Sequence, residues 1–227
     1  MMNIPRRAAA ILLMVTIFTE AIAQEGGVKA VGMAGRNATF GYFGGTEISA
    51  SCSARSWFQT RGALRYTSFH RYTLDIRPGI FHDFTSGRIH AEILFQGALQ
   101  SKTYDVCAGL VAGYAGRRFW ADLGYYYRGM LPSDGSKGLS EPVNILYEAG
   151  FRCLPDQEKW DLNIVVSNSR LCELERFYQP SLIVEGAYYP LDMLGIYASA
   201  ALKRAGVFNI SSNSYQEYIS LGIHYRW

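Results

Sequence analysis

In the stretch RIHAEILFQGALQ, Ile89, Ala91, Ile93, Phe95 and Leu99 fall on one set of alternate positions, and His90, Glu92, Gln96 and Gln100 on the other. A β-strand sends successive side chains to opposite faces, so this run makes a strand that is apolar on one face and polar on the other. A helix, with its period of 3.6, would scatter the same residues around its axis. The pattern returns in Val106, Ala108, Leu110, Ala112 and Tyr114, then in Phe119, Ala121, Leu123, Tyr125 and Tyr127, opposite Asp122, Gly124 and Arg128. Val143, Ile145, Tyr147, Ala149 and Phe151 oppose Asn144, Glu148, Gly150 and Arg152. Trp160, Leu162, Ile164 and Val166 oppose Asp161 and Asn163. Further runs are Leu182, Val184, Gly186 and Tyr188 opposite Glu185, and Leu194, Ile196, Ala198, Ala200 and Leu202 ahead of Lys203. Hydrophobic residues reach 49%, yet beyond the first residues no apolar run approaches the ~18 positions of a helical membrane span. Apolarity spread by alternation is the signature of an all-β chain.

Short connections (AGRR, LPDQEK, YPLD) take turns with longer polar ones (MLPSDGSKGLSEP, SNSRLCELERFYQP, KRAGVFNISSNSYQE). Counting strands back from Trp227 gives about ten, with eight as the alternative. The N-terminal third reads less clearly. Residues 24–46 are Gly-rich and could be a first strand, a plug or a lead-in. GTEISASCSARSWF alternates weakly through Ile48, Ala50, Cys52 and Ala54. In HRYTLDIRPGIF, Tyr72, Leu74, Ile76 and Ile80 face away from Arg71, Asp75 and Arg77, although Pro78 cannot donate to a ladder.

The chain opens with Arg6 and Arg7, an apolar run from Ala8 to Phe18, and Ala21-Ile22-Ala23 before Gln24. This is the layout of an export signal cut after Ala23, which makes residues 1–23 a signal peptide and 24–227 one domain. Without the leader's Arg6, Arg7 and Glu20 the formal charge of +3 becomes +2, too weak a field to argue for nucleic acid. Cys52, Cys107, Cys153 and Cys172 match no metal or redox spacing. The strand reading points Cys52 and Cys107 to opposite faces and puts Cys153 and Cys172 at opposite ends, so they are expected as mostly free thiols.

The final run, with Ile219, Leu221, Ile223, Tyr225 and Trp227 on alternate positions, resembles the C-terminal signature of bacterial outer-membrane β-barrel proteins, with Trp in place of the commoner terminal Phe. The size is similar to barrels of the OmpX, OmpW and OmpA-barrel type. The resemblance implies an antiparallel up-and-down transmembrane barrel of 8–10 strands in the bacterial outer membrane. It also implies short periplasmic turns, longer external loops, and recognition of the last strand by the barrel assembly machinery. The chemistry agrees: in lipid only a closed barrel satisfies every backbone group of a sheet, with an apolar outer face and a free choice inside. Tyr114, Phe119, Phe151, Trp160, Tyr188, Tyr225 and Trp227 lie near expected turn ends, where a periplasmic aromatic girdle belongs. Tyr125 and Tyr127 lie toward the other end.

With the apolar face outward, the lumen receives Asp75, Glu92, Asp105, Asp122, Glu148, Asp161 and Glu185. Arg71, Arg77, Arg128, Arg152, Lys203, His90, His224 and Arg226 oppose them. Charges away from bulk water need partners, so this set reads either as the lining of a narrow polar pore or as a salt-bridge network filling the interior. Phe81-His82-Asp83 and the pair Asp156 and Asp161 lie at expected periplasmic turns and read as turn or interior chemistry. No catalytic constellation, cofactor site or metal-ligand spacing is found. The expected function is passive permeation of a small solute, or a structural role, in the lipid bilayer. The alternative is a surface adhesin or host-ligand binder whose Ser167–Gln179 and Lys203–Glu217 loops project outside, with Phe177, Tyr178, Val207, Phe208 and Ile210 exposed on them.

Overall fold

The computed structural model describes residues 25–54, 57–69, 71–100, 103–134, 136–174, 179–204 and 214–227. The export signal, Phe177 with Tyr178, and Val207, Phe208 and Ile210 lie outside the described residues. The strands are β1 (Glu25–Asn37), β2 (Gly41–Ala54), β3 (Phe58–Thr67), β4 (Arg71–Phe84), β5 (Gly87–Gln100), β6 (Thr103–Gly116) and β7 (Phe119–Pro132). They continue with β8 (Leu139–Arg152), β9 (Trp160–Ser167), β10 (Ser169–Arg170), β11 (Glu173–Leu174), β12 (Ser181–Leu191), β13 (Leu194–Arg204) and β14 (Ser214–Arg226).

Twelve strands form a closed antiparallel barrel in which each pairs with its neighbours in sequence, β9 passing to β12. β1 closes the ring on β14 from Gly27↔Arg226 to Asn37↔Gln216. The remaining two, β10 and β11, make a separate two-residue ladder. The barrel therefore exceeds the expected eight to ten strands by two, and both additions lie in the N-terminal third. Residues 24–46, open between strand, plug and lead-in, supply β1 and the start of β2. β3 arises from FQTRGALRYT. The alternation is blurred in β1 because its outward positions hold Ala30, Gly32 and Ala34 while Val31 and Met33 point inward and are buried, and in β3 because Thr60 and Gly62 interrupt the outward Phe58, Leu64 and Tyr66.

Elsewhere the outward face follows the alternation. Ile93, Phe95, Leu110, Leu123, Ile164, Val184, Ile196 and Leu221 are all exposed, while their strand neighbours Glu92, Gln96, Asp122 and Asn163 are buried. A soluble sheet would invert that order; an apolar exterior around a polar interior is the pattern of a barrel solvated by lipid. Proline is placed where the ladder can spare a donor. Pro142 lies at the β7–β8 register shift and Pro190 at the β12–β13 shift. At Pro78 the β4–β5 ladder skips from Ile76↔Phe95 to Gly79↔Glu92 with its register intact.

At the end of the barrel that holds Glu25 and Trp227, the expected girdle is present. Phe119 pairs with Phe151, the Trp160 and Tyr188 rings lie 4.4 Å apart, and those of Tyr225 and Trp227 lie 5.9 Å apart. Connections at this terminal end cover 55–57, 85–86, 117–118, 153–159 and 192–193. Those at the opposite end are no longer in the first half, covering only 38–40, 68–70 and 101–102. The first of these is a tight turn in which Asn37 Oδ1 accepts from the Thr39 and Phe40 amides, and Gly41 adopts φ +80°, open to glycine at little cost. MLPSDGSKGLSEP is mostly strand, with only 133–138 between β7 and β8. The expected loop asymmetry is thus confined to the C-terminal half. None of Cys52, Cys107, Cys153 and Cys172 is joined in a disulfide.

Candidate functional site: a lumen crossed by an inward segment

The segment after β9 does not project outside as expected; it enters the barrel. β9 has only 8 residues and pairs with β8 over Glu148↔Ser167 to Arg152↔Asn163, leaving the upper half of β8 without that neighbour. Asn168 takes the strand's place. The Tyr147 amide donates to Asn168 Oδ1 at 2.7 Å, and Asn168 Nδ2 donates to the Ile145 carbonyl at 2.9 Å. The chain then crosses the lumen as β10, a turn with Cys172 at φ +64°, and β11.

Each side of the lumen holds this crossing. Glu173 pairs with Arg65 of β3, which also pairs with Glu47 of β2, and it lies 3.9 Å from Lys203 and 3.5 Å from the Tyr218 hydroxyl. The Cys172 amide donates to Asp75 Oδ2 at 3.1 Å. Arg170 reaches Glu185 at 2.8 Å and Glu148 at 3.8 Å. On the β5–β8 wall, Leu174 joins a buried apolar cluster of Leu94, Cys107, Val111, Tyr126 and Leu146. Two further buried apolar clusters, around Tyr189 and Tyr197 and around Val165 and Ile183, lie on the β9–β1 side, so apolar and charged groups share the lumen on both sides.

Of the charges expected in the lumen, Asp75, Arg77, Glu92, Asp122 and Glu148 are buried, and several stand in pairs. Arg77 grips both oxygens of Asp75 at 2.9 and 3.1 Å, and Gln96 donates to the same carboxylate. Arg128 is bidentate on Asp105, with Arg71 4.0 Å away. Glu92 binds Arg61 and Gln59, and Asp122 lies between His90 at 3.1 Å and Arg61 at 3.4 Å. That last cluster needs Gly113, where a Cβ would meet Asp122 Oδ1 at 2.1 Å. Glu148 accepts from the Trp120 indole, and Glu185 from the Tyr197 hydroxyl. Forked charge-assisted pairs of this kind hold their geometry well and leave little net field.

Nearer the terminal end the partners change character. Arg152 donates to the Gly116 and Arg117 carbonyls, and Arg226 to those of Asp192 and Glu158 while lying over the Tyr189 ring. His224 shares a hydrogen bond with the Tyr189 hydroxyl at 2.7 Å. Phe81-His82-Asp83 resolves into turn chemistry, with Asp83 paired to Arg88 across the hairpin and Phe81 under the Arg88 guanidinium. Asp156 pairs with Arg117 of the adjacent turn.

Sequence reasoning missed Lys29, Glu47, Arg61 and Arg65, which sit on the blurred N-terminal strands, and Arg170 and Glu173, which were placed in an external loop. Arg61 and Arg65 lie four apart in FQTRGALRY, a spacing that puts them on one strand face. Among the described residues no group of His, Cys, Asp and Glu could hold a metal ion.

Open space remains. A vestibule of about 630 Å³ lies at the terminal end, lined by Arg61, His90, Glu92, Asp122, Asp161 and Arg226 among others. It shares Asp161, Asn163 and His224 with a chamber of about 220 Å³ under Arg170 and Leu171. A smaller space of about 80 Å³ continues beside the inward segment between Lys29, Arg65, Arg170 and Tyr218.

A closed barrel of this kind, apolar outside and charged within, shares its architecture with solved outer-membrane porins. The chain superposes on the NanC porin with a TM-score of 0.57 at 9% identity, over 88% of this chain and 100% of that one. The KdgM porin gives 0.54 at 10% identity over 89% and 99%. The translocator domain of the autotransporter NalP from Neisseria meningitidis gives 0.54 at 12% over 98% of each. No family model matches the sequence, and no curated protein matches it.

Proposed function

We propose that the chain is an outer-membrane barrel of the porin type that passes small polar solutes, with residues 168–174 forming its constriction. The observation that carries this reading is the run of spaces from the vestibule at the terminal end, through the chamber, to the narrow gap beside the inward segment. The apolar exterior, the girdle at the terminal end and the porin architecture support the membrane location. A solved KdgM porin is described as a complex with disordered oligogalacturonate, which fits a polar lumen as a passage for hydrophilic solutes. Export through residues 1–23 and assembly through Ile219, Leu221, Ile223, Tyr225 and Trp227 complete the proposal. The inward course of 168–174 takes from the adhesin alternative the described part of one of its two loops.

The test is refolding of the mature chain into detergent, gel mobility with and without boiling, and conductance in planar bilayers. A heat-dependent mobility shift with discrete conductance steps is the expected outcome. A mobility shift with a silent bilayer would refute permeation and leave a structural barrel.

A further inference from the structure

Once the lumenal ion pairs are counted off, two charged groups and one side-chain amide on one chamber make no hydrogen bond or ion pair among the described residues. The Lys29 ammonium lies 4.3 Å from the centroid of the Tyr197 ring; it feels Glu47 and Glu185, which are held by Arg65 and Arg170, and makes no hydrogen bond or ion pair of its own to a described residue. Asp161, exposed toward the vestibule, accepts none either. Asn163 is 9% exposed, and its Oδ1 is buried without a partner. All three line the same space of about 220 Å³. Other lumenal cations differ: Arg61, Arg65, Arg77, Arg128 and Arg170 are held by carboxylates, and Arg152 and Arg226 by carbonyls.

A buried acceptor without a donor is uncommon and calls for a partner. Asp161 and Asn163 are two apart on β9, so both present acceptors from one strand face. Acceptors take a cationic N–H group. Lys29, from β1, has only donors and takes a carboxylate. We infer that this chamber is a docking site for a small zwitterion of the α-amino-acid class, its ammonium on Asp161 and Asn163 Oδ1 and its carboxylate on Lys29. A chamber of about 220 Å³ has room for a small amino acid with water beside it. With the carboxylates and guanidinium groups around it held by one another, a solute carrying one charge leaves one end of this site unanswered. The inference rests on the permeation reading above, and its test separates the two.

The full mature chain is refolded, checked for the heat-dependent mobility shift, and placed in phosphatidylcholine vesicles loaded with labelled glycine, glycerol, glycolate or choline. Glycine release should saturate and exceed that of glycerol. Lys29→Met and Asp161→Asn should each lower the glycine-to-glycerol ratio about tenfold, the worth of one charge-assisted contact. Glycerol release with a glycine ratio unchanged in both variants would overturn the site and leave the pore standing. Glycolate as fast as glycine, with Asp161→Asn silent, would make this an anion site and overturn the zwitterion. Release of no solute at all would overturn the pore, and the docking site with it.

Discussion

Glu173→Gln probes whether residues 168–174 set the width of the pore. Glu173 is 9% exposed and meets Arg65, Lys203 and the Tyr218 hydroxyl, so its carboxylate joins β11 to β3, β13 and β14 together. Removing one member of a buried ion pair costs about 3–5 kcal/mol, mostly because the other charge is left without a counter-ion. Here Arg65 keeps Glu47, with contacts at 2.5 and 2.8 Å, so the loss falls toward about 2–3 kcal/mol. Glutamine preserves the shape and leaves the Leu174 cluster and the Arg170–Glu185 pair in place. At ~1.4 kcal/mol per tenfold, the equilibrium between the crossing and a displaced segment shifts about 30- to 150-fold.

Single-channel recording in planar bilayers reads that shift directly. The wild-type barrel should conduct in small steps with rare larger openings, and Glu173→Gln should make the larger openings frequent. The heat-dependent mobility shift serves as the folding control, since every barrel ladder is untouched. Raised salt should close little of the gap, because a buried pair is weakly screened. A folded Glu173→Gln barrel with the step size and open fraction of the wild type would refute the assignment of the constriction to this segment.

Asn168→Ala removes the groups that satisfy Tyr147 and Ile145 on the β8 edge, and should lower unfolding stability in urea and detergent by about 1–3 kcal/mol, seen as a shifted midpoint. Leu94→Ala opens a hole in the fully buried lumenal cluster and should cost about 2–5 kcal/mol in the same assay, whereas Ile93→Ala on the lipid face should cost less. Deletion of Trp227 should reduce the fraction of chain reaching the outer membrane of an expressing cell while leaving refolding in detergent intact. Equal loss in both settings would make the residue structural instead.

The alternation revealed the strands best where the two faces differ most. β5 to β9 and β12 to β14 place large aliphatic or aromatic side chains on the outer face and charged or small ones inside, and the period of two was legible in each. β1 was not counted because Ala and Gly face outward there, nor was β3, whose outward Phe58, Leu64 and Tyr66 are interrupted by Thr60 and Gly62, and the barrel's closure rests on ladder pairs that no single strand encodes. On the strands with a clear alternation the charges of the inner face could be named, since facing inward is a local property of a strand; Lys29, Glu47, Arg61 and Arg65 on the blurred strands could not. Nor could the partners be named: Glu92 finds Arg61 on β3, and Asp122 lies between His90 and Arg61, across strands whose register sequence alone leaves open. The inward segment was hidden for a related reason. SNSRLCELERFYQP is polar and follows a strand, which describes an external loop as well as a lumenal crossing. Only Arg65, Glu47 and Asp75 on the opposite wall give Glu173 and the Cys172 amide a reason to turn in.

Strand number explains why such a segment is needed. An eight-stranded barrel is just wide enough for its own inward side chains to fill, and diameter grows roughly linearly with strand number. With twelve strands, side chains from opposite walls no longer meet across the axis, and an unoccupied interior would be a wide aqueous channel. Here the β5–β8 wall thickens with Leu94, Val111, Tyr126 and Leu146, and the segment carrying Arg170, Glu173 and Leu174 bridges from that cluster to Glu185 on β12 and Arg65 on β3. The residues for the bridge are taken from β9, which stops after 8 residues beside a β8 of 14. Shortening a strand exposes its neighbour's edge, and Asn168, the first residue of the crossing, covers that edge. Constriction and wall are therefore built from one stretch of chain. A displacement of the segment can start beyond Asn168 at little cost, but one that carries Asn168 with it strips β8 of its partner groups and opens the wall.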